Sequence, residues 1–188
     1  MNLSDMKNLP PEGQKKLFER LENERKKAKT TNYSALYGVG PPKLARTSGI
    51  PVKEADKLLK TFWEMNWAIS EFSKDMLKGV RRLGGQMWVK NPVSGFWYSL
   101  RYEKDVFSTL NQSTGVYCFD TWMAFYLTKR PNIVGQMHDE SINYVKKGDE
   151  ELHEKVLRWA IMQANKKIKL NVPLDIDVQF GETYADIH

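Results

Sequence analysis

The first stretch of the chain with residues suited to chemistry is a basic segment in which Arg25, Lys29, Tyr33 and Tyr37 recur at steps of four residues. On a helix, each step advances about 6 Å along nearly the same face. Two cations followed by two aromatic rings match the shape of a nucleoside triphosphate. Arginine can grip phosphate oxygens with two hydrogen bonds, lysine acts as a point charge, and a tyrosine ring can pack on a sugar or a base. The alternative is a surface helix with solvated cations and tyrosines that belong to the core.

The second stretch is a short polar turn, His138-Asp139-Glu140, between the apolar runs 133–137 and 141–145. We predict that the two runs form a hairpin, because its tip would direct adjacent side chains to one place. Carboxylates are hard oxygen ligands for Mg²⁺. Two-metal phosphoryl transfer needs carboxylates that hold ions about 3.5–4 Å apart. The alternative is an ordinary turn, since polar residues favour turns in any protein.

The elements that must position these residues form an α+β fold, with long helices first and short strands later. Apolar residues at steps of three and four predict helices, and alternation or β-branched runs between turn residues predict strands. The predicted helices cover residues 12–37, 52–83, 105–127 and 149–169, and the predicted strands lie within 86–100, 133–137, 141–145 and 174–180.

Charge and cysteine content limit the classes of function. The net charge is +6, and it is uneven: residues 1–82 carry 17 basic and 10 acidic side chains, whereas residues 83–188 carry 12 and 13. A basic first half favours a polyanionic partner, nucleic acid first and an anionic membrane second. The single cysteine, Cys118, excludes a disulfide scaffold and a multi-cysteine zinc site. No apolar run approaches the roughly 18 residues of a membrane span, and no secretory signal is evident, so we expect a cytoplasmic protein without a membrane partner.

The pattern Arg-x3-Lys-x3-Tyr-x3-Tyr-Gly, from Arg25 to Gly38, resembles the nucleotide-binding helix of family A DNA polymerases, the DNA polymerase I type. His138-Asp139-Glu140, about 100 residues later, is similar to the third conserved motif of that family. The helix near residues 105–127 resembles the family's helix along the DNA minor groove. Gly95 and Arg101 stand where phage-type members have glycine and arginine.

The resemblance implies a role for each of these residues. Arg25 and Lys29 would bind the phosphates of the incoming deoxynucleoside triphosphate, Tyr33 its sugar, and Tyr37 would shape the insertion site. Asp139 would bind catalytic Mg²⁺ with Glu140 assisting, and His138 would lie near the primer end. Lys29, His138, Asp139 and Glu140 would thus be the catalytic set. Arg101, Gln112 and His138 would contact primer–template DNA.

The resemblance also implies a division into a leader (1–14), a fingers subdomain (15–85) and a partial palm (86–188). The family's first motif, an aspartate on a palm strand, is not evident among these residues. The expectation is therefore a C-terminal polymerase fragment, inactive alone. It would work with a second polypeptide that carries the exonuclease, the thumb and the first palm motif, in the host cytoplasm if a phage encodes it.

Two other classes of protein stay open at this point. A non-catalytic DNA- or nucleotide-binding module derived from a polymerase would keep the basic helix without needing Asp139. A regulatory or structural subunit would need an interface but neither site.

Overall fold

The computed structural model describes residues 10–129 and 132–187 of the 188-residue chain. The fold is α+β, as predicted, and its two small sheets are antiparallel. Contacts divide the chain into two compact units. Among the described residues, unit 1 holds those up to Val89 together with Tyr98–Thr109, and unit 2 holds Lys90–Trp97 and those from Leu110 onward.

Proline and glycine set the limits of the first two helices. Helix α1 spans Pro11–Leu36 and helix α2 spans Pro41–Ser48, each with proline in its first turn, where its missing N–H costs nothing. Gly49 follows α2 with a φ of 66°, a left-handed conformation that glycine adopts without steric cost. Residues 1–9 of the predicted leader lie outside the described residues, and Pro11 already belongs to α1. No pattern in the sequence predicted α2.

The single helix predicted over residues 52–83 is wrong. The structure has α3 over Val52–Met65, α4 over Trp67–Lys78 and a strand, β1, over Arg81–Leu83. The break falls at Asn66, whose side-chain amide donates to the Phe62 carbonyl at 2.8 Å and so competes with the helical backbone. Gly84 and Gly85, both with positive φ, form the two-residue turn of a hairpin instead of closing a helix.

The rest of the chain follows the prediction more closely. Strands β2 (Gln86–Lys90) and β3 (Trp97–Leu100) complete the first sheet in the order β1-β2-β3. After β3 the chain forms a 3₁₀ turn (Glu103–Asp105), helix α5 (Val106–Leu127), strands β4 (Ile133–Met137) and β5 (Glu140–Asn143), helix α6 (Glu150–Ile168) and a second 3₁₀ turn (Tyr184–Asp186). Within residues 10–129 and 132–187, none of the helices has the length and apolar character that a membrane span requires.

The strand predicted over residues 174–180 is also wrong. Its alternating burial is observed, with Leu174, Ile176 and Val178 half-buried and Asp175 and Asp177 exposed. The backbone forms no β-ladder, however, because the described part of the chain places no strand beside it. The Asn165 amide takes the place of such a strand at one point, accepting from the Leu174 N–H at 2.8 Å and donating to its carbonyl at 2.7 Å.

Each unit has its own hydrophobic core. In unit 1 the buried residues come from helices α1 to α3, and half-buried residues such as Phe62 and Trp63 surround them. In unit 2 they come from α5 and α6, with Ile133, Ile176 and Val178 at the margin. The core of unit 1 consists of Ala35, Leu44, Ala45, Ala55 and Leu59, and that of unit 2 of Phe119, Met123, Tyr126, Leu157 and Ala160.

A fully buried amide, that of Asn91, joins the turn after β2 to helix α5 within unit 2. Its oxygen accepts from the N–H groups of Val93 and Ser94 at 2.8 and 3.1 Å. Its nitrogen lies 2.8 Å from the Ser113 hydroxyl and 2.9 Å from that of Thr114. The side chain of Asn91 therefore accepts the hydrogen bonds of two N–H groups of the turn and also attaches the turn to α5.

We predict that Asn91→Ala lowers the free energy of unfolding by about 2–4 kcal/mol, because it removes the acceptor of the Val93 and Ser94 N–H groups and the hydrogen bonds of the buried amide to α5. Urea unfolding followed by circular dichroism measures the change. Ser94→Ala is the matched control in the same turn. It removes only an exposed contact to the Phe96 N–H at 3.3 Å and should cost less than about 0.5 kcal/mol. Equal losses for the two variants would contradict the role given to Asn91.

Candidate functional site

The predicted nucleotide-binding residues lie on a face of α1 that points away from the core of unit 1. Thr31 and Ala35 are the buried residues of this helix. The side chain of Arg25 is 69% exposed, and Tyr33 and Tyr37 are 53% and 45% exposed. Neither tyrosine is a core residue, which removes the alternative in which both serve only for packing.

The two cations on this face are held loosely. The Arg25 guanidinium forms an ion pair with Glu22 one turn earlier, at 3.0 Å. Lys29 has no ion pair within the described residues, and its ammonium lies 5.8 Å from the centre of the Tyr33 ring. Exposed pairs of this kind contribute little stability, so both groups can exchange their present contacts for phosphate oxygens at small cost.

The end of α1 requires glycine. Tyr37 caps the helix, and Gly38 follows with a φ of 64°. A Cβ at Gly38 would stand 3.3 Å from Cδ of Lys104, whose ammonium lies 3.5 Å from the Gly38 carbonyl oxygen. The structure therefore adds a third cation, Lys104, near the tyrosine end of the face. Sequence reasoning missed it because Lys104 is 66 residues away and belongs to no motif.

In unit 2 the carboxylate turn is the tip of a hairpin, as predicted. Met137 pairs with Glu140, which leaves His138 and Asp139 as a two-residue loop. His138 has a φ of 53°, the left-handed conformation that tight hairpin turns require. Both loop residues are exposed, whereas Glu140 is half-buried. The side chain of Asp139 therefore projects from the end of a rigid element.

The base of the hairpin is attached to the helices behind it by a chain of polar contacts. The hydroxyl of Tyr126, a fully buried residue of α5, donates to the Asn132 side-chain oxygen at 3.2 Å and lies 3.4 Å from Nε2 of His153 on α6. The Asn132 amide donates to the Tyr144 carbonyl at 2.6 Å, across the open end of the hairpin. These contacts restrict the movement of β4 and β5 relative to α5 and α6.

A groove of about 510 Å³ runs beside the hairpin within unit 2. Trp122, Leu157 and Ile176 contribute apolar surface to it. Four carboxylates also line it, those of Asp139, Glu140, Asp175 and Asp177. The last two were not predicted as site residues, since their alternation with apolar neighbours indicated only the outer side of a strand.

The described residues do not complete a metal centre. Among them no three His, Cys, Asp or Glu side chains are placed to hold one ion together. Asp139 and Glu140 have the oxygen donors that Mg²⁺ prefers, but two carboxylates on adjacent residues supply only part of its coordination. Any magnesium site at this hairpin needs ligands beyond those that the described residues bring together.

The predicted DNA contacts fall in both units. Gln112 is exposed on α5 in unit 2, and Arg101 is exposed in unit 1 with its guanidinium 5.4 Å from the centre of the Tyr102 ring. The nucleotide-binding face belongs to unit 1 and the carboxylate hairpin to unit 2. Cys118 is a buried packing residue, and burial raises the pKa of its thiol, so it stays protonated at neutral pH.

Comparison with known protein families gives a match for the first part of this chain, which includes α1. Residues 13–90, which contain the whole Arg25–Tyr37 face, match the family model of DNA polymerase family A. No curated protein matches the chain. The segment that carries the nucleotide-binding pattern is thus similar to family A DNA polymerases, and the hairpin of unit 2 lies outside the matched residues.

Removal of the Tyr126 hydroxyl should make the hairpin of β4 and β5 more mobile while its polar loop residues stay unchanged. We expect Tyr126→Phe to cost about 1 kcal/mol of stability and to speed amide hydrogen exchange in β4 and β5. Hydrogen–deuterium exchange with mass spectrometry measures this. Tyr117→Phe is the control, because Tyr117 contacts Phe96 through its ring. Unchanged exchange in the hairpin of Tyr126→Phe would show that the polar chain does not restrain it.

Proposed function

We propose that this chain is the fingers and part of the palm of a family A DNA polymerase, which adds deoxynucleotides to a primer 3′ end. One observation carries the proposal. Arg25, Lys29 and Tyr33 point outward in line on one helix, within the segment that matches the polymerase family model. The basic charge of the first half of the chain supports the same proposal, because both the nucleotide and the DNA are polyanions.

The proposed role of α1 is to hold the incoming nucleotide. Arg25 binds the outer phosphates and Lys29 the inner ones, so that their positive charges offset the charge of the triphosphate. Tyr33 packs on the deoxyribose, and Tyr37 limits the space at the insertion site. Because the buried face of α1 fixes the rotation of the helix, the nucleotide binds in one orientation.

The proposed reaction is the attack of the primer 3′-hydroxyl oxygen on the α-phosphorus. A new P–O bond forms, the bond from the α-phosphorus to the bridging oxygen breaks, pyrophosphate leaves, and the hydroxyl proton passes to solvent. Lys29 stabilises negative charge near the α-phosphate, and His138 contacts the primer end. Asp139, assisted by Glu140, is proposed to contribute ligands for magnesium, which when bound offsets charge on the phosphates.

A second polypeptide is proposed to complete the carboxylate set. The described residues bring no third ligand to Asp139 and Glu140, and the 188 residues contain no evident match to the family's first palm motif. That partner would also carry the exonuclease and the thumb. Gln112 and Arg101 would contact the primer–template duplex, since a glutamine amide can meet the acceptors shared by all base pairs in the minor groove.

The incomplete carboxylate set also favours a second candidate. A DNA- or nucleotide-binding module derived from a polymerase would keep the α1 face and would have no need of further metal ligands. The two candidates differ in whether a partner chain restores nucleotide addition.

We predict that Arg25→Ala and Lys29→Ala each lower the rate of nucleotide incorporation about 10- to 100-fold and leave the affinity for primer–template DNA nearly unchanged. Single-turnover incorporation by the complex of this chain with its partner measures the rate, and fluorescence anisotropy measures DNA binding. Arg46→Ala is the matched control, since Arg46 is an exposed arginine on α2 of the same unit. If the first two variants lost DNA binding instead, the face would be a DNA contact.

We also predict that this chain alone is inactive, and that a chain bearing the first palm motif restores Mg²⁺-dependent primer extension. Asp139→Asn should abolish the restored activity without preventing assembly, because it keeps the shape of the side chain and removes its charge. Asp120→Asn, a change at an exposed position of α5, should retain activity. Extension by this chain alone would place the missing carboxylate within it. Activity that survives Asp139→Asn would exclude this aspartate from the mechanism.

A further inference from the structure

A second basic face of α1 lies on the side opposite the nucleotide-binding face. At about 100° per residue, Lys27 stands some 200° around the helix from Arg25, and Arg20 and Lys16 lie on the same side as Lys27. The polar residues of this side recur at steps of four and three, with no apolar residue among them. They are Lys16, Arg20, Asn23, Lys27 and Thr30.

This face forms one wall of a groove of about 580 Å³ within unit 1. The opposite wall is the end of α2, with Thr47 and Ser48. Glu19, Glu24 and Lys26 also line the groove, so its four cations exceed its two carboxylates. A groove with net positive charge and hydroxyl groups along one side has the chemistry to hold phosphate groups.

The Ser48 hydroxyl needs a partner that the fold does not supply. Its oxygen is buried and has no hydrogen-bond partner within the described residues, a condition that costs stability. Thr47 differs, since its hydroxyl donates to the Lys43 carbonyl at 3.0 Å. Ser48 lines the groove, so a ligand bound there lies beside the residue that lacks a partner.

The cations of the groove are available to such a ligand. Arg20 has no ion pair within the described residues. Lys16 pairs with Glu12 at 2.9 Å and Lys27 with Glu24 at 3.3 Å, and all four side chains are more than half exposed. Ion pairs of this kind are worth at most about 1 kcal/mol, so a phosphate can replace them.

We propose that this groove, formed by Lys16, Arg20, Asn23, Lys27 and Ser48, binds consecutive phosphates of a single-stranded nucleic acid. The polar residues follow one another at about 4.5–6 Å along the helix axis, which suits a phosphodiester chain laid along α1. The site is separate from the nucleotide-binding face, and it does not depend on the proposed polymerase activity. A chain without that activity would still bind single strands here.

An anionic membrane is a weaker candidate for the same charges. A helix that lies on a bilayer needs an apolar face along its length. On the side of α1 opposite the groove, Arg25 and Lys29 separate the exposed Phe18 and Leu21 from the exposed Tyr33. Because two cations interrupt the apolar residues of this side, these residues do not form such a face.

The test is the salt dependence of binding to a fluorescent 20-nucleotide single strand, measured by anisotropy with the full-length chain. Lys16→Gln/Arg20→Gln should lower the affinity and flatten the slope of log K against log salt by about 1.4, since each phosphate contact on a single strand contributes about 0.7. Lys53→Gln/Lys57→Gln is the matched control. It removes two exposed cations at the same spacing on α3, outside the groove, and should change the slope much less.

Ser48→Ala supplies a second, independent readout. Ser48→Ala removes a neutral group, so the slope of log K against log salt should stay the same. The affinity for the single strand should fall roughly two- to tenfold. The melting temperature without ligand should not fall, because the variant loses a hydroxyl that has no partner. Equal slopes for the groove and control variants would overturn the proposal. So would unchanged affinity of Ser48→Ala, or binding of the chain to phosphatidylserine vesicles but not to the oligonucleotide.

Discussion

Close packing of helices through alanine is the constraint on which both units depend. In unit 1, Ala35 of α1 is 1% exposed and Ala55 of α3 is fully buried. In unit 2, Ala160 and Ala164 of α6 are fully buried. Small side chains at these buried positions leave room for their neighbours in the core, and any larger residue there would have to displace them. The rotation of each helix about its axis is therefore fixed, and with it the direction of every polar residue on the outer faces. The two basic faces of α1 result from one buried line of residues between them.

The same reasoning explains why a hairpin of only two strands can carry a carboxylate in a defined place. An isolated hairpin is marginally stable in water. Here Ile133 packs against the core of α5 and α6, and the Tyr126 hydroxyl reaches both Asn132 and His153. Gly135 also matters, because a Cβ at that position would stand 3.3 Å from Cδ1 of Ile142 across the hairpin. The tip that holds His138 and Asp139 is thus supported from its base.

Charge is distributed differently in the two units, and this division bears on how the chain would work. The first half is basic. Some of its exposed cations, such as Arg25 and Lys27, form weak ion pairs that phosphates can replace, and Arg20 and Lys29 have no ion pair within the described residues. The groove beside the hairpin is lined by four carboxylates, and Arg158 forms an ion pair with one of them, Asp175, at 3.6 Å. The exposed cations suit unit 1 to holding polyanions, and the carboxylates suit the groove of unit 2 to holding cations.

The sequence by itself determined the parts of this protein that depend on local spacing. The four-residue steps from Arg25 to Tyr37 and the apolar runs around His138-Asp139-Glu140 placed both candidate sites on the correct elements, because helix and strand periodicity act over a few residues.

Tertiary structure decided what depends on residues far apart in the chain. The break at Asn66 was missed because a side-chain hydrogen bond leaves no trace in the apolar periodicity. The helix α2 was missed because its eight residues are too few to show a clear period. Residues 174–180 alternate like a strand but have no neighbouring strand, and a strand exists only when another pairs with it. The groove between Arg20 and Ser48, and the contact of Tyr126 with His153, join residues 27 or 28 positions apart. No local pattern records such contacts, because they arise only when the helices pack.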